Sequence, residues 1–369
     1  MSASSSPAAY PADRRVVVES IGSARPALAG VLAHQLGVAP ERVANALYRA
    51  PAILLDALSA HQAEGLASIL QQAGLVVRIE DAAAPRPQAE AVYDIALYIE
   101  DIADLPACCE RLGGFLGCPP AAALTLLLAP PGVILGNVSL ATSDALIRLL
   151  DGLAVQVISS LRSQAVYRLL INREPGPMLD RLLQDVKHIA LPVSDGQPTL
   201  LDQLQAQQLW RRHQAAGGIQ LMDCAFLRYD LSLTRVTEAS RTDQLPALAG
   251  LPAALIDSVV ANLPIVVEEG VSHTALPERL QAWQEAAMPV AVSVASLRRC
   301  RLLIPGGSQL EPALPLLLQA GLLPPDSGVP TLPWHSPVLQ GELLPRWLQA
   351  GLEQLQIPVI CEELNHEPH

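Results

Sequence analysis

Residues 263–272 read LPIVVEEGVS, and residues 50–59 read APAILLDALS. Both carry a proline, an apolar run, an acidic residue, an apolar residue and a serine. An apolar run bounded by a proline and by a helix-capping serine reads as a short buried strand leading into a helix. Finding that phrase twice, two hundred residues apart, points to a module used more than once.

Working outward from the earlier stretch gives the rest of the module. RVVVESI, from Arg15, is a β-type run. PALAGVLAHQL has apolar residues at helical spacing and ends at Gly37. Pro40 opens a second short helix, ERVANALYRA, which Pro51 ends. AILLDAL follows as a strand. Ser59 and Gln62 form an S-x-x-Q capping box for a third helix, which Gly74 closes before the strand LVVRIED. The order is β-α-α-β-α-β.

The same order recurs. A second copy runs DIALYIE, LPACCERLGGFL, PPAAALTLLLAPP, GVILGNVS, TSDALIRLLDGL and AVQVIS. A third starts at Tyr167, where Leu201-Asp202-Gln203-Leu204 echoes Leu55-Asp56-Ala57-Leu58 and LPVSDGQP replaces the second helix. A fourth runs from Leu231 with LSLTRVT, LPAALIDSVVANL, PIVVEEGVS, PERLQAWQEAA and PVAVSV. A fifth runs from Cys300 to IPVICEE. The expected fold class is α+β: five tandem modules, each a small three-stranded sheet with its helices on one face. The expected boundaries are a disordered 1–13, module 1 at 14–81, a linker at 82–91, module 2 at 92–163, a degenerate module 3 at 164–230, module 4 at 231–298, a degenerate module 5 at 299–364, and a tail at 365–369.

Composition agrees with buried cores. Half of the 369 residues are apolar, 16% are charged and 3% are aromatic, so the cores rest on Leu, Val, Ile and Ala. Net charge is −12, with Lys187 the single lysine. That charge repels phosphate backbones, so no nucleic-acid partner is expected. Residues 112–143 carry no charge, but Pro119, Pro120, Pro130 and Pro131 divide them, so no membrane span is expected. The N-terminal MSASSSPAAYPADRR lacks a basic region followed by an apolar core, so no secretory signal is expected. Six cysteines without a C-x-x-C pair indicate reduced, mostly buried thiols and a cytoplasmic location.

The stretch GVAPERVANALYRAPAILLDALSAHQAEGLASILQQAGLVVRIE, 37–80, resembles the C-terminal domain of the bacterial ribosomal stalk protein, and PIVVEEGVS is similar to the strand and cap of the same family. The small adaptor of the Clp protease shares this fold. The resemblance implies a β-α-α-β-α-β domain whose second helix recruits protein partners through lysines. The positions of those lysines hold Glu41 and Ala44 here, and Arg42 and Arg49 are the cations nearby. The chain therefore reads as a fold relative rather than a ribosomal component.

Catalytic chemistry is not indicated. G-x-S-x-G and H-E-x-x-H are absent. Glu268 and Glu269 are adjacent strand residues facing opposite ways. IPGGSQLE, 304–311, reads as a turn with a capping box from Ser308 to Glu311. No catalytic residue, cofactor or metal is expected. The candidate partner-binding residues are Arg42 and Arg49, and the cluster Trp210, Arg211 and Arg212, since Trp and Arg dominate binding hot spots. Trp283 and Trp347 fall on equivalent helices and read more as core. The expected function is a non-catalytic scaffold or adaptor that binds partner proteins through helical faces. The alternatives are a small-molecule binder or enzyme with a site at a module junction, and a translation- or protease-associated adaptor.

Overall fold

The computed structural model describes residues 13–24, 27–87, 91–171, 176–189, 199–307, 309–324 and 328–364. The expected disordered N-terminus (but for Asp13), the LPVSDGQP stretch, Ser308 and the tail lie outside the described residues.

The chain is α+β. Five small antiparallel sheets follow one another along it, and in each the first strand of the copy is central. The first copy comprises strand Arg14–Ser20, helices Ala27–Leu36 and Pro40–Tyr48, strand Ala52–Leu58, helix Ala60–Gln72 and strand Val76–Asp81. Its middle and closing strands each run antiparallel to Arg14–Ser20. They are therefore parallel to each other, joined by the third helix as a split β-α-β unit. The second copy repeats this with Tyr93–Ile99, Leu105–Leu116, Pro120–Leu128, Val133–Val138, Leu140–Leu150 and Val155–Leu161. The third has Tyr167–Ile171, Pro177–Ile189, Leu200–Leu201, Gln203–His213 and Ile219–Asp223. The fourth has Arg228–Leu233, Leu245–Ala249, Ile256–Ala261, Ile265–Ser272, Leu276–Glu285 and Val290–Ser293. In the fifth, Arg299–Ile304 is central, the middle strand is split into Trp334–His335 and Leu339–Gln340, and Leu343–Gln354 and Ile360–Glu363 close the unit.

The two stretches that open the sequence argument occupy the same place in their sheets. Leu58, Leu55, Ile53 and Ala52 pair with Arg14, Val16, Val17 and Val18. Val271, Glu268, Val266 and Ile265 pair with Tyr229, Leu231, Ser232 and Leu233. Every pair matches when Pro51 is laid on Pro264. Both middle strands are irregular at the same point, and Ala57 and Gly270 there have φ of 57° and 64°.

Two sequence expectations shift. Asp202 is the cap of helix Gln203–His213: it accepts from Gln205 N at 2.8 Å, and the Gln205 side chain reaches back to Asp202 N at 2.9 Å. Ser59 and Gln62 do the same in the first copy. Asp202 thus stands where Ser59 stands, three residues from the Asp56 it echoes. Aspartate and serine cap helices equally well, so matching letters misplaced the register. In the fourth copy, LPAALIDSVVANL holds the second helix, and the first lies outside the stretches quoted for it. The first helix is Leu245–Ala249, ended by Gly250 at φ 65°. The central strand there begins at Arg228, three residues before the expected boundary at Leu231.

The central strands of the first and fourth copies are buried on both faces. Arg15, Val16, Val17 and Val18 are all fully buried, although alternate residues face opposite sides of a sheet. Helix Leu140–Leu150 of the second copy lies against this strand. Tyr229, Asp230, Leu231 and Leu233 are likewise buried. Met222, Cys224, Leu227 and Tyr229 form one apolar cluster with Leu170, Val271, Leu276, Val294 and Leu297, drawn from the third and fourth copies. Two compact units result: Met1–Thr125 with Ile134–Ser163, and Leu126–Val133 with Gln164–His369. The expected linker is tethered at its start, where Ala82 N donates to Asp13 O and Arg15 Nη2 donates to Pro85 O at 2.6 Å.

Among the described residues no single helix is long and apolar enough to cross a membrane. The charge-free stretch contributes to two helical segments, Ile102–Leu116 and Pro120–Leu128, bent by 107°.

Candidate interaction surfaces

Arg42 and Arg49 have different surroundings. Arg42 is exposed on helix Pro40–Tyr48. Arg49 follows the end of that helix, and its Nε donates to Asn137 O at 3.0 Å. Beside it, the Tyr48 carbonyl accepts from Ser139 N at 2.9 Å and from Thr142 Oγ1 at 2.8 Å. An orphan carbonyl at one helix end thus meets an orphan N–H at the start of another. The Tyr48 ring packs edge-on against Phe115, with 6.4 Å between centroids. Burial, and next the Cys118 thiol, push the Tyr48 hydroxyl up to about 12. The end of this second helix is therefore engaged by the second copy of the same chain, and Arg49 with it.

Trp210, Arg211 and Arg212 lie on helix Gln203–His213, whose buried side is Ala206, Leu209 and His213. One residue beyond Leu209, Trp210 sits on a flank and is 44% exposed. Arg212 Nη1 donates to Asp185 Oδ1 at 3.0 Å, and His213 Nε2 lies 2.9 Å from Asp185 Oδ2. The His213 hydrogen bond, and then the Arg212 charge, hold the Asp185 carboxyl below the usual aspartate range. Arg211 is exposed. Leu204 on this helix is 70% exposed and Met178 on the preceding helix 60%. The tryptophans of the three equivalent helices divide: Trp283 is fully buried, Trp347 packs partly buried against the core of the fifth copy, and Trp210 faces out.

A recurring charged position in the central strand escaped the sequence reading. Asp230 Oδ1 accepts from Gly270 N at 2.9 Å, and Asp94 Oδ1 accepts from Asn137 N at 2.8 Å. Gly270 and Asn137 have φ of 64° and 61°, so each aspartate anchors a left-handed kink of the middle strand. The other oxygen of Asp230 takes Arg298, and that of Asp94 takes Arg162 at 3.3 Å. The first copy has Arg15 at this place, paired with Glu80, and Asp56 accepts from Ala57 N instead at 3.0 Å. The signal was present as Y-D-I-A-L from Tyr93 and Y-D-L-S-L from Tyr229.

Around Asp230 the charges converge. Arg298 also meets Glu363 at 3.1 Å, and Arg228 N donates to Ser296 Oγ at 2.8 Å. Burial raises the Glu342 carboxyl above the ordinary glutamate range. Arg346 opposes the shift, Asp230 adds to it, and Arg228 and Arg298 oppose it. A carboxyl raised on folding binds its proton more tightly in the native state. Its contribution therefore declines as pH rises from the unfolded glutamate value, about 4.3, through the raised folded value. Glu342→Gln is expected to raise the urea midpoint relative to wild type at pH 7, with the gain shrinking towards pH 5. Denaturation of both proteins at the two pH values checks this, and an unchanged gap overturns it.

Other chemistry is structural. Glu268 is bound by Arg279 at 2.7 Å and by the Trp283 indole N–H, so it is not paired with Glu269 for catalysis. Cys108 and Cys109 are both buried, and burial pushes them up to about 12 and about 11. Among the described residues no group of three or more His, Cys, Asp or Glu could hold a metal ion. No protein-family model matches the chain, and no curated protein or solved structure matches it either.

Proposed function

We propose that the protein is a non-catalytic scaffold or adaptor, a fold relative of the stalk C-terminal domain, that binds a partner protein through the helical face of its third copy. The observation that carries this reading is Trp210, 44% exposed and followed by exposed Arg211, in a copy that also exposes Leu204 and Met178. Large apolar side chains usually sit inside, and a Trp–Arg pair at the surface is the composition of a binding hot spot. Arg42 supplies a second candidate contact on the first copy. Arg49 is exposed as well, with its Nε donating to Asn137 O.

The junction reading draws on the polar cluster at Asp230. Its carboxylate oxygens are taken by Gly270 N and Arg298, and Arg298 also binds Glu363. These groups hold each other, which favours an internal fastening over a ligand site.

Full-length protein, tagged and expressed in its native host, would be crosslinked, purified and compared with the double variant Trp210→Ala, Arg211→Glu. A hot spot of about 2 kcal/mol or more corresponds to roughly thirty-fold in affinity. The expected result is a stoichiometric protein partner that the double variant loses while its circular dichroism is unchanged. A partner retained in full by the variant, or no partner with either protein, overturns the reading.

A further inference from the structure

Cys300 and Cys361 lie on paired strands of the fifth sheet. Leu302 is opposite Cys361, and Cys300 is opposite Glu363. Residues two apart on a strand share a face, so both thiols point the same way as diagonal neighbours. The Cys361 thiol is close enough to be among the groups that raise Cys300, after burial. Cys300 is fully buried in the core of the fifth copy, while Cys361 packs at its margin and is half-buried. The other cysteines have no such geometry. Cys108 and Cys109 are successive residues of one helix, and Cys224 belongs to a different cluster.

We propose that Cys300 and Cys361 are a redox-responsive pair that closes to a disulfide by exchange with a small disulfide of the glutathione type. The Cys361 thiolate attacks one sulfur of the reagent and expels one glutathione thiolate. The Cys300 thiolate then attacks the Cys361 sulfur of the mixed disulfide and expels the second. The two protons released by the protein thiols end on the two glutathione thiolates. Two protein thiols are thus oxidised to one disulfide, and one glutathione disulfide is reduced to two thiols. Cys361 is the entry point because it reaches solvent, whereas Cys300 needs to reach only its neighbour. Burial, followed by the contact with Cys361, pushes the Cys300 thiol up to about 12, so closure accelerates as pH rises.

The bridge would fasten Ile360–Glu363, a four-residue edge strand, to the central strand of its sheet. That strand carries Glu363, which binds Arg298 and through it Asp230 of the fourth copy. Oxidation would therefore stiffen the fastening between the last two copies.

The test is to incubate the full-length protein with oxidised glutathione at pH 8, quench and alkylate it, and map peptides without reduction. The expected product is a Cys300–Cys361 crosslink, reversed by dithiothreitol, with amide exchange at 360–363 slowed at least tenfold. Cys300→Ser should instead accumulate glutathione on Cys361. A wild-type protein that retains glutathione on Cys361 without the crosslink overturns the proposal. So does one in which Cys118 reacts and neither of this pair does. The wild-type peptide map decides even if the variant fails to fold.

Discussion

Asp230→Ala should lower the stability of the second unit by about 3 kcal/mol, because it removes a buried carboxylate that anchors Gly270 N and pairs with Arg298. Asp230 is 2% exposed. One of its oxygens accepts from Gly270 N and the other from Arg298. Without them a left-handed turn loses its anchor, and Arg298 keeps only the more exposed Glu363. Asp230→Asn keeps an acceptor for Gly270 but removes the charge, so its cost should be smaller, about 1–2 kcal/mol. Asp94→Ala should cost less than Asp230→Ala, since the Asp94 side chain is 20% exposed and Arg162 lies at 3.3 Å. A chain of several copies need not unfold in one step. Amide exchange at 228–233 and 299–304, read beside the urea midpoint, locates the effect. Equal losses for the alanine and asparagine variants would show that the charge alone, and not the acceptor for Gly270 N, holds the junction.

Trp283→Ala should be the most damaging single core change, at about 3–5 kcal/mol. The indole is fully buried under helix Leu276–Glu285, packed with Leu231, Leu233, Leu245 and Val259. Its N–H also donates to Glu268, which occupies the place that Leu55 holds in the first copy. A carboxylate at an apolar position is tolerable because Arg279 and the indole both satisfy it. Trp283→Phe keeps most of the volume and loses the hydrogen bond, for about 1–2 kcal/mol. Trp210→Ala, by contrast, should change stability by no more than about 0.5 kcal/mol. Urea denaturation of the three variants separates the core tryptophan from the surface one. A Trp210 variant as unstable as the Trp283 variant would remove the basis for a binding role.

The fold was readable because each copy advertises its punctuation. Prolines precede the middle strand, Ser59 caps the third helix, and Gly37 and Gly74 end helices where only a left-handed residue fits easily. The register of the third copy was misread because helix caps are chemically interchangeable, so Asp202 resembled the wrong residue. The split middle strand of the fifth copy was not legible, since two-residue strands leave no periodicity to detect. Exposure was harder still. The same residue type on equivalent helices is core at Trp283 and surface at Trp210, because Trp283 faces the core of its own copy and Trp210 lies off the buried side of its helix. Likewise nothing local to Arg49 announces its bond to Asn137, 88 positions along the chain. The Asp94 and Asp230 anchors were written in the sequence, but as single letters whose partners lie on other strands.

The double burial of the central strands also limits how such a chain can change by duplication. A copy with one bare sheet face could be added or lost like a bead, at little cost to its neighbours. Here the strand Arg14–Ser20 is covered on both sides, with helix Leu140–Leu150 of the next copy against it. Deleting that neighbour would uncover valines that have no charge or polar group to keep them dissolved. Packing thereby ties the first copy to the second, and relatives of this chain should vary at loops and exposed helix faces before they lose either of the two.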